Sequence, residues 1–210
     1  MLSDAITAFV MLFVVIDPIG LGPMFVALTQ GATPAERRRI ALTGVLVGAA
    51  ILTVFGLAGD SALKFIGISM PAFRISGGLL LFLIAVEMVF EKRSQRREAK
   101  TATDEHAPSS DPSVFPLATP LLAGPAAIAT MILLVGEQQG DLWGQAMMFG
   151  VLYALLLLVL VSFLLGGLIE RVLGRTGVLV VTRLFGMLLA ALSVQFVLDG
   201  LADFGFLPQG

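Results

Sequence analysis

The chain has 210 residues, of which 57% are hydrophobic and only 13% charged, and its mean hydropathy is +0.97. A soluble domain carries about 25% charged residues, so this composition excludes one, and a formal net charge of −2 with its basic residues segregated between apolar runs offers no nucleic-acid groove. There is no cysteine, which excludes disulfide frameworks and thiolate metal sites.

The apolar residues fall into runs of roughly 20, the length that crosses a hydrocarbon core of about 30 Å. Six spans are predicted: Ala5–Thr29, Ile40–Gly59, Met70–Phe90, Val114–Gly136, Gly144–Leu168 and Gly177–Leu201. No Lys or Arg precedes the first run and no A-x-A site follows it, so it reads as a span rather than a cleaved signal peptide. Arg37, Arg38 and Arg39 follow the first span, Lys92, Arg93, Arg96, Arg97 and Lys100 the third, and Arg171 and Arg175 the fifth. Ten basic residues thus share one side with only Lys64 on the other, and the positive-inside rule puts both termini outside. Arg74 and Arg183 remain, each within a span.

The segment "EKRSQRREAKTATDEHAPSSDP" (91–112) is charge-balanced and rich in Ala, Ser, Thr and Pro, as a flexible cytoplasmic linker would be. It carries the single histidine, His106, which reads as a solvated loop residue. The domain division is therefore 1–90, a first three-helix unit; 91–113, the linker; and 114–210, a second three-helix unit.

Within the first span, "DPIGLGPMFVAL" (17–28) aligns with "TPLLAGPAAIAT" (119–130) at an offset of 102, sharing P-x3-G-P-x3-A. "FRISGGLLLFL" (73–83) aligns with "TRLFGMLLAAL" (182–192) at an offset of 109, matching Arg74 to Arg183 and Gly77 to Gly186. Since each unit has three spans, the second must enter the membrane from the opposite side. The fold class expected is an all-α polytopic membrane protein with six transmembrane helices in a 3+3 inverted-topology repeat, a plan common among secondary transporters.

Prolines within a helix remove a donor and displace the preceding turn, and they push the residue before them out of α geometry. The first helix of each unit is expected to break, with half-helices beginning at Pro18 or Pro23 and at Pro120 or Pro125. Asp17 lies about 18 Å beyond Ala5 at helical rise, near the bilayer midplane. Half-helix N-termini suit a carboxylate; freed carbonyls and Asp17 suit an ammonium group or a cation. A zwitterion needs both. Small residues (Gly20, Gly22, Gly124) leave room for a small substrate. Thr119-Pro120 and Asp17-Pro18 are also good N-cap pairs, so Asp17 serves as a cap, as a substrate or proton ligand, or as both. A charge at membrane depth points to function.

Arg74 opens the third span against the positive-inside bias, which suits it to a substrate carboxylate, an acidic partner or a snorkelling anchor. Arg183 and Gln195 are the corresponding polar candidates in the last span. No histidine or cysteine is embedded in the membrane, no G-x-S-x-G occurs, and no metal-ligand cluster is spaced along the chain. No enzyme activity, cofactor or metal is therefore expected.

The segments "TPAERRRIA", "GISMPAFRISGGL", "FPLATPLLAGPAAIA" and "RLFGMLLAALSVQFVLDG" resemble the MarC family of bacterial inner-membrane proteins, also described as a small neutral amino acid transporter family. The resemblance covers nearly the whole chain outside 91–112. It implies a six-span protein of the bacterial inner (plasma) membrane whose better-studied relatives move glycine, alanine and similar amino acids. Relatives often have Asn where this chain has Leu21, and many have Gly where it has Ala126. The function expected is secondary transport of a small neutral solute, in the first instance small neutral amino acids, coupled to a proton or Na⁺. A passive channel, or an exporter of another small metabolite, is the alternative. The expected partners are the solute, the lipid bilayer and, because six spans make a thin bundle, a second copy of the chain.

Overall fold

The structure is a computed structural model that describes residues 2–90, 117–118 and 121–205. The linker 91–113 with His106, together with Thr119 and Pro120, lies outside the described residues. Among the described residues seven α-helices follow in order: α1 (Leu2–Ile16), α2 (Pro18–Leu28), α3 (Pro34–Ile66), α4 (Met70–Val89), α5 (Pro125–Gly136), α6 (Leu142–Leu164) and α7 (Gly166–Asp203). Five segments of the described residues are long and apolar enough to cross a membrane: Ser3–Leu28, Pro34–Ile66, Met70–Val89, Leu142–Leu164 and Thr176–Asp203. Pro125–Gly136 is a shorter apolar helix, and Leu117–Ala118 and Leu121–Leu122 before it are wound as π-helical turns.

The helix ends follow from local chemistry. Thr33 caps α3 in a reciprocal box with Glu36, Pro34 occupies the first turn, and Gly67 closes the helix at φ 85°. That capping carries α3 well beyond the predicted 40–59, drawing Arg37, Arg38 and Arg39 into its first turns. Ser69 caps α4 ahead of Pro71, and Asp141 caps α6 through the Trp143 N–H. Between the fifth and sixth spans, where a loop was expected, the chain stays helical from Gly166 apart from Gly174, whose φ of 64° kinks α7.

The broken first span, α1 and α2, sits centrally. α1 packs on α5, α6 and α7, while α2 packs on α6 and α7. Phe25 of α2 stacks on Phe163 of α6 at 4.6 Å, and Phe13 of α1 meets Phe185 of α7 edge-on at 5.3 Å. Around them Leu12, Ile16, Leu21, Met131, Leu133 and Leu152 are buried, whereas Leu46, Val54, Leu57 and Leu157 point outwards, as they must where the surrounding solvent is lipid.

Small residues set the helix contacts. The longest interface is α4 against α7, antiparallel: Gly78 faces Ser193 and Val197, Gly186 faces Ala85 and Met88, and Gly200 faces Pro71 and Ile75. A Cβ at Gly78 would stand 2.8 Å from the Ser193 carbonyl oxygen, so glycine allows the two backbones to approach this closely. Gly48, Gly56 and Gly59 do the same for α3 against Leu122, Met131 and Ile132.

Candidate functional site

Asp17 is where the first span breaks. Its backbone lies in the left-handed region, φ 60° and ψ 65°, the only non-glycine residue with positive φ among the described residues. Its N–H still donates to the Phe13 carbonyl at 2.9 Å, and its carbonyl accepts from the Leu21 N–H at 2.9 Å. A single residue therefore ends α1 and starts α2. Its Oδ1 accepts from the Gly20 N–H at 3.1 Å, and the residue is only 2% exposed. The sequence logic is tight: Asn and Asp tolerate left-handed backbone through short polar side chains, and both are strong N-caps. Glycine at 20 leaves room for this cap, because a Cβ there would collide with the Asp17 carboxylate.

Of the half-helix starts open in the sequence, Pro18 begins α2 and Pro125 begins α5, while Pro120 lies outside the described residues. Pro23 lies inside α2, and Gly22 stays helical before it. Gly22 lacks the Cβ that makes part of the pre-proline clash, which permits the helix there without dictating it, since Gly124 before Pro125 is extended. The second break is at Gly124, at φ −75° and ψ 168°, and no side chain caps α5. Ile128 N–H returns to the Gly124 carbonyl at 3.0 Å; Pro125 is exposed while Ala126 and Ala127 are buried. In the next turn Thr130, fully buried, returns its hydroxyl to the Ala126 carbonyl at 2.8 Å. Leu21 and Ala126 are buried in the apolar core.

The remaining candidates lie elsewhere. Arg74 is held at one end of the bundle, with Nη2 donating to Glu137 Oε1 at 2.9 Å and Nη1 to Asp203 Oδ2 at 2.6 Å. Gln195 is at the same end, its amide donating to Asp199 Oδ1 at 2.7 Å. Both flank a cavity of about 200 Å³ lined by Asp4, Thr7, Glu137, Gln138, Gln195 and Asp199 over a floor that includes Met11 and Phe196. Asp17 lies about 20 Å along the first span from Asp4, so the structure sorts the candidates into a pair of breaks and an acidic end cavity. Arg183 is exposed on the part of α7 that faces the far end of α4. Glu137, Asp203, Asp4, Thr7 and Gln138 were not expected; the only signal was Arg74, a cation where positive charge is disfavoured.

Glu137 sits in the turn after α5. Burial pushes its carboxyl above its ordinary value of 4.5, Arg74 beside it pulls the other way, and Asp199 and Asp203 add to the upward push.

With this geometry in place, the comparisons with known proteins fall into line. The description "MarC family integral membrane protein" matches residues 2–204. The chain belongs to the MarC family. Among its curated relatives, a UPF0056 membrane protein of Aquifex aeolicus is 36% identical over 94% of this chain and 92% of its own. The UPF0056 membrane protein YhcE of Escherichia coli is 35% identical, over 92% of this chain and 89% of its own. The UPF0056 inner membrane protein YhgN of the same species is 33% identical, over 95% and 97%. No solved structure matches the chain. This MarC family protein is thus an integral membrane protein with several membrane-crossing helices.

Proposed function

We propose that the chain is a secondary transporter of a small neutral solute, with amino acids of the size of glycine, alanine and serine as cargo, working by alternating access around the two breaks. The observation that carries the reading is Asp17: a carboxylate buried to 2% exposure, on left-handed backbone, in the middle of a membrane-length apolar span. Strained backbone and membrane-depth charge are both costly and both concentrate at functional sites. Asp17 supplies acceptor capacity for an ammonium group, since a carboxylate offers about four lone-pair sites. The N-terminus of α5, with no side-chain cap, supplies N–H groups and positive dipole for a carboxylate.

Packing supports the 3+3 inverted repeat that alternating access would use. The second helix of the first half, α3, packs on the broken helix of the second, α5; the second helix of the second half, α6, packs on the broken helix of the first. The third helices, α4 and α7, pack on each other antiparallel through Gly78, Gly186 and Gly200. Exchanging the halves leaves this pattern unchanged. The basic residues of α3 then face the cytoplasm and both termini face out, and the printed name of YhgN as an inner membrane protein supports a plasma-membrane location. A proton or Na⁺ is the coupling ion, with Asp17 as its carrier.

The test is counterflow of radiolabelled glycine, alanine and serine into liposomes that hold the purified protein and unlabelled solute. A transient overshoot is expected, and Gly124→Leu, which places a bulky side chain at the start of α5, should abolish it. Label that only equilibrates, without overshoot, identifies a passive channel instead. No entry of any of the three through folded protein removes amino acids as the cargo.

A further inference from the structure

We propose that Arg74, Glu137 and Asp203 form a latch that ties the two halves together over the acidic cavity and must part when that end of the bundle opens. The latch rests on the two-halves reading above and goes beyond it, because the ion pairs lie at the bundle end and not at the breaks.

The guanidinium of Arg74 comes from α4 in the first half. Its partners come from two separate elements of the second: Glu137 from the turn after α5, at 2.9 Å, and Asp203 from the last residue of α7, at 2.6 Å. One side chain therefore pins two helix ends to a third, and the paired fork geometry suits Arg better than Lys. The Arg74 side chain is 15% exposed, while those of Glu137 and Asp203 are 33% and 42% exposed. Ion pairs this close to water break reversibly. Arg74 Nε is buried with no hydrogen-bond partner, which adds a cost to the closed arrangement.

The charges around the cavity show what Arg74 holds in check. Asp4 of α1, Glu137 after α5 and Asp199 of α7 line it, and Asp203 of α7 stands beside Arg74. Lys64, the cation at this end of α3, is engaged with Asp60 at 2.8 Å and with Gln139 at 3.0 Å. Without Arg74, Glu137 would face Asp199 and Asp203 without its paired cation, and like charges at such range drive elements apart.

The pH response follows from the burial of Glu137, which raises its carboxyl above the ordinary 4.5 despite Arg74. The closed form thus holds this proton more tightly than an open form in which Glu137 is solvated. Acid favours closure, and that contribution fades as the pH rises through the raised value. At neutral pH Arg74 is what keeps the end shut.

The chain has no native cysteine, so single cysteines report directly. Leu192→Cys places a thiol in the cavity wall and Leu142→Cys, at an 81%-exposed position, gives a reference. Labelling by a hydrophilic maleimide is measured on purified protein in detergent at neutral pH. In the Arg74→Gln background the cavity site should label on the order of tenfold faster, within the usual range of such couplings, with the reference unchanged. Adding Glu137→Gln to Arg74→Gln should restore most of the protection, since it removes the repelling charge. Asp203→Asn, which leaves Arg74 and Glu137 in place, should accelerate labelling by roughly fivefold, at the low end of that range, and decides the matter if Arg74→Gln does not fold. Cavity labelling that stays at the wild-type rate in Arg74→Gln, or in Asp203→Asn where only that variant folds, overturns the latch. Run beside the counterflow assay, the two ideas separate. Counterflow with unchanged labelling removes the latch alone, and accelerated labelling without counterflow leaves the latch and removes the cargo.

Discussion

The first break, at Asp17, is buried and charged, whereas the second, at Gly124, is partly open and uncharged, although both lie in a P-x3-G-P-x3-A pattern. The first opens its half-helix at the first proline of the pattern and the second at the second proline. Where Asp17 is present, one residue can supply both the left-handed turn and the cap, so the break occurs there and the helix runs on through Pro23. At Gly124 the turn needs only extended backbone, which any residue adopts, and α5 starts without a side-chain cap. Matching prolines therefore do not make matching breaks: Gly22 before Pro23 stays helical, whereas Gly124 before Pro125 is extended.

That difference sets the largest predicted effect. Asp17→Ala loses the cap, worth about 1 kcal/mol, and forces alanine into left-handed backbone, worth about another 1 kcal/mol. The variant should unfold about 2 kcal/mol more easily in an SDS or urea titration followed by circular dichroism. Gly124→Ala has no side-chain cap to lose and no positive φ to strain, and should cost about 0.5 kcal/mol, the penalty for alanine at an N-cap. Equal losses at the two sites would erase the distinction drawn between them.

Gly20→Ala sharpens the same contrast with a smaller effect. In an ordinary helix the change stabilises by about 0.5–1 kcal/mol. Here the new Cβ would collide with Asp17 Oδ2 and stand 2.9 Å from its Cγ, so the cap must move. The net cost expected is about 1 kcal/mol. In the Asp17→Ala background nothing remains to clash with, and Gly20→Ala should turn stabilising by about 0.5 kcal/mol. The reversal of sign is the readout; additive costs would mean that Gly20 matters for some contact other than the cap.

Part of this was legible in the sequence for physical reasons. Apolar runs of membrane length, and the Asp, Gly and Pro residues inside the first of them, declare a span that cannot be a continuous helix. Which proline begins the half-helix was not legible, because Asp17-Pro18 and Gly22-Pro23 both satisfy the rules for a helix start, and only the packed backbone shows that Gly22 stays helical. The helical course through 166–176 was missed because Arg171 and Arg175 marked a boundary by charge, while one glycine at 174 made the bend without a loop. The acidic cavity was the least visible part. Glu137 and Asp203 are far from Arg74 along the chain, and each alone looks like a solvated residue at a helix end. Only the odd placement of Arg74 hinted that partners existed.

The smallest predicted change in stability is the one that bears most on function. Asp17→Asn keeps a side chain that tolerates left-handed backbone and that caps as well as Asp, so the break, the burial and the Gly20 contact should all persist. Unfolding should shift by no more than about 0.5 kcal/mol. What the substitution removes is the negative charge and the capacity to take up a proton. If Asp17 carries the coupling ion, accumulation of amino acid against a gradient should fall to background while counterflow exchange continues, because exchange needs the site but not the ion. Retention of both activities would reduce Asp17 to a helix cap. Loss of both, in protein of unchanged stability, would make its charge a direct ligand for the ammonium group. Because Asn preserves the fold at the first break and the second break has no charge to lose, this one variant separates the chemistry of the site from the architecture that builds it.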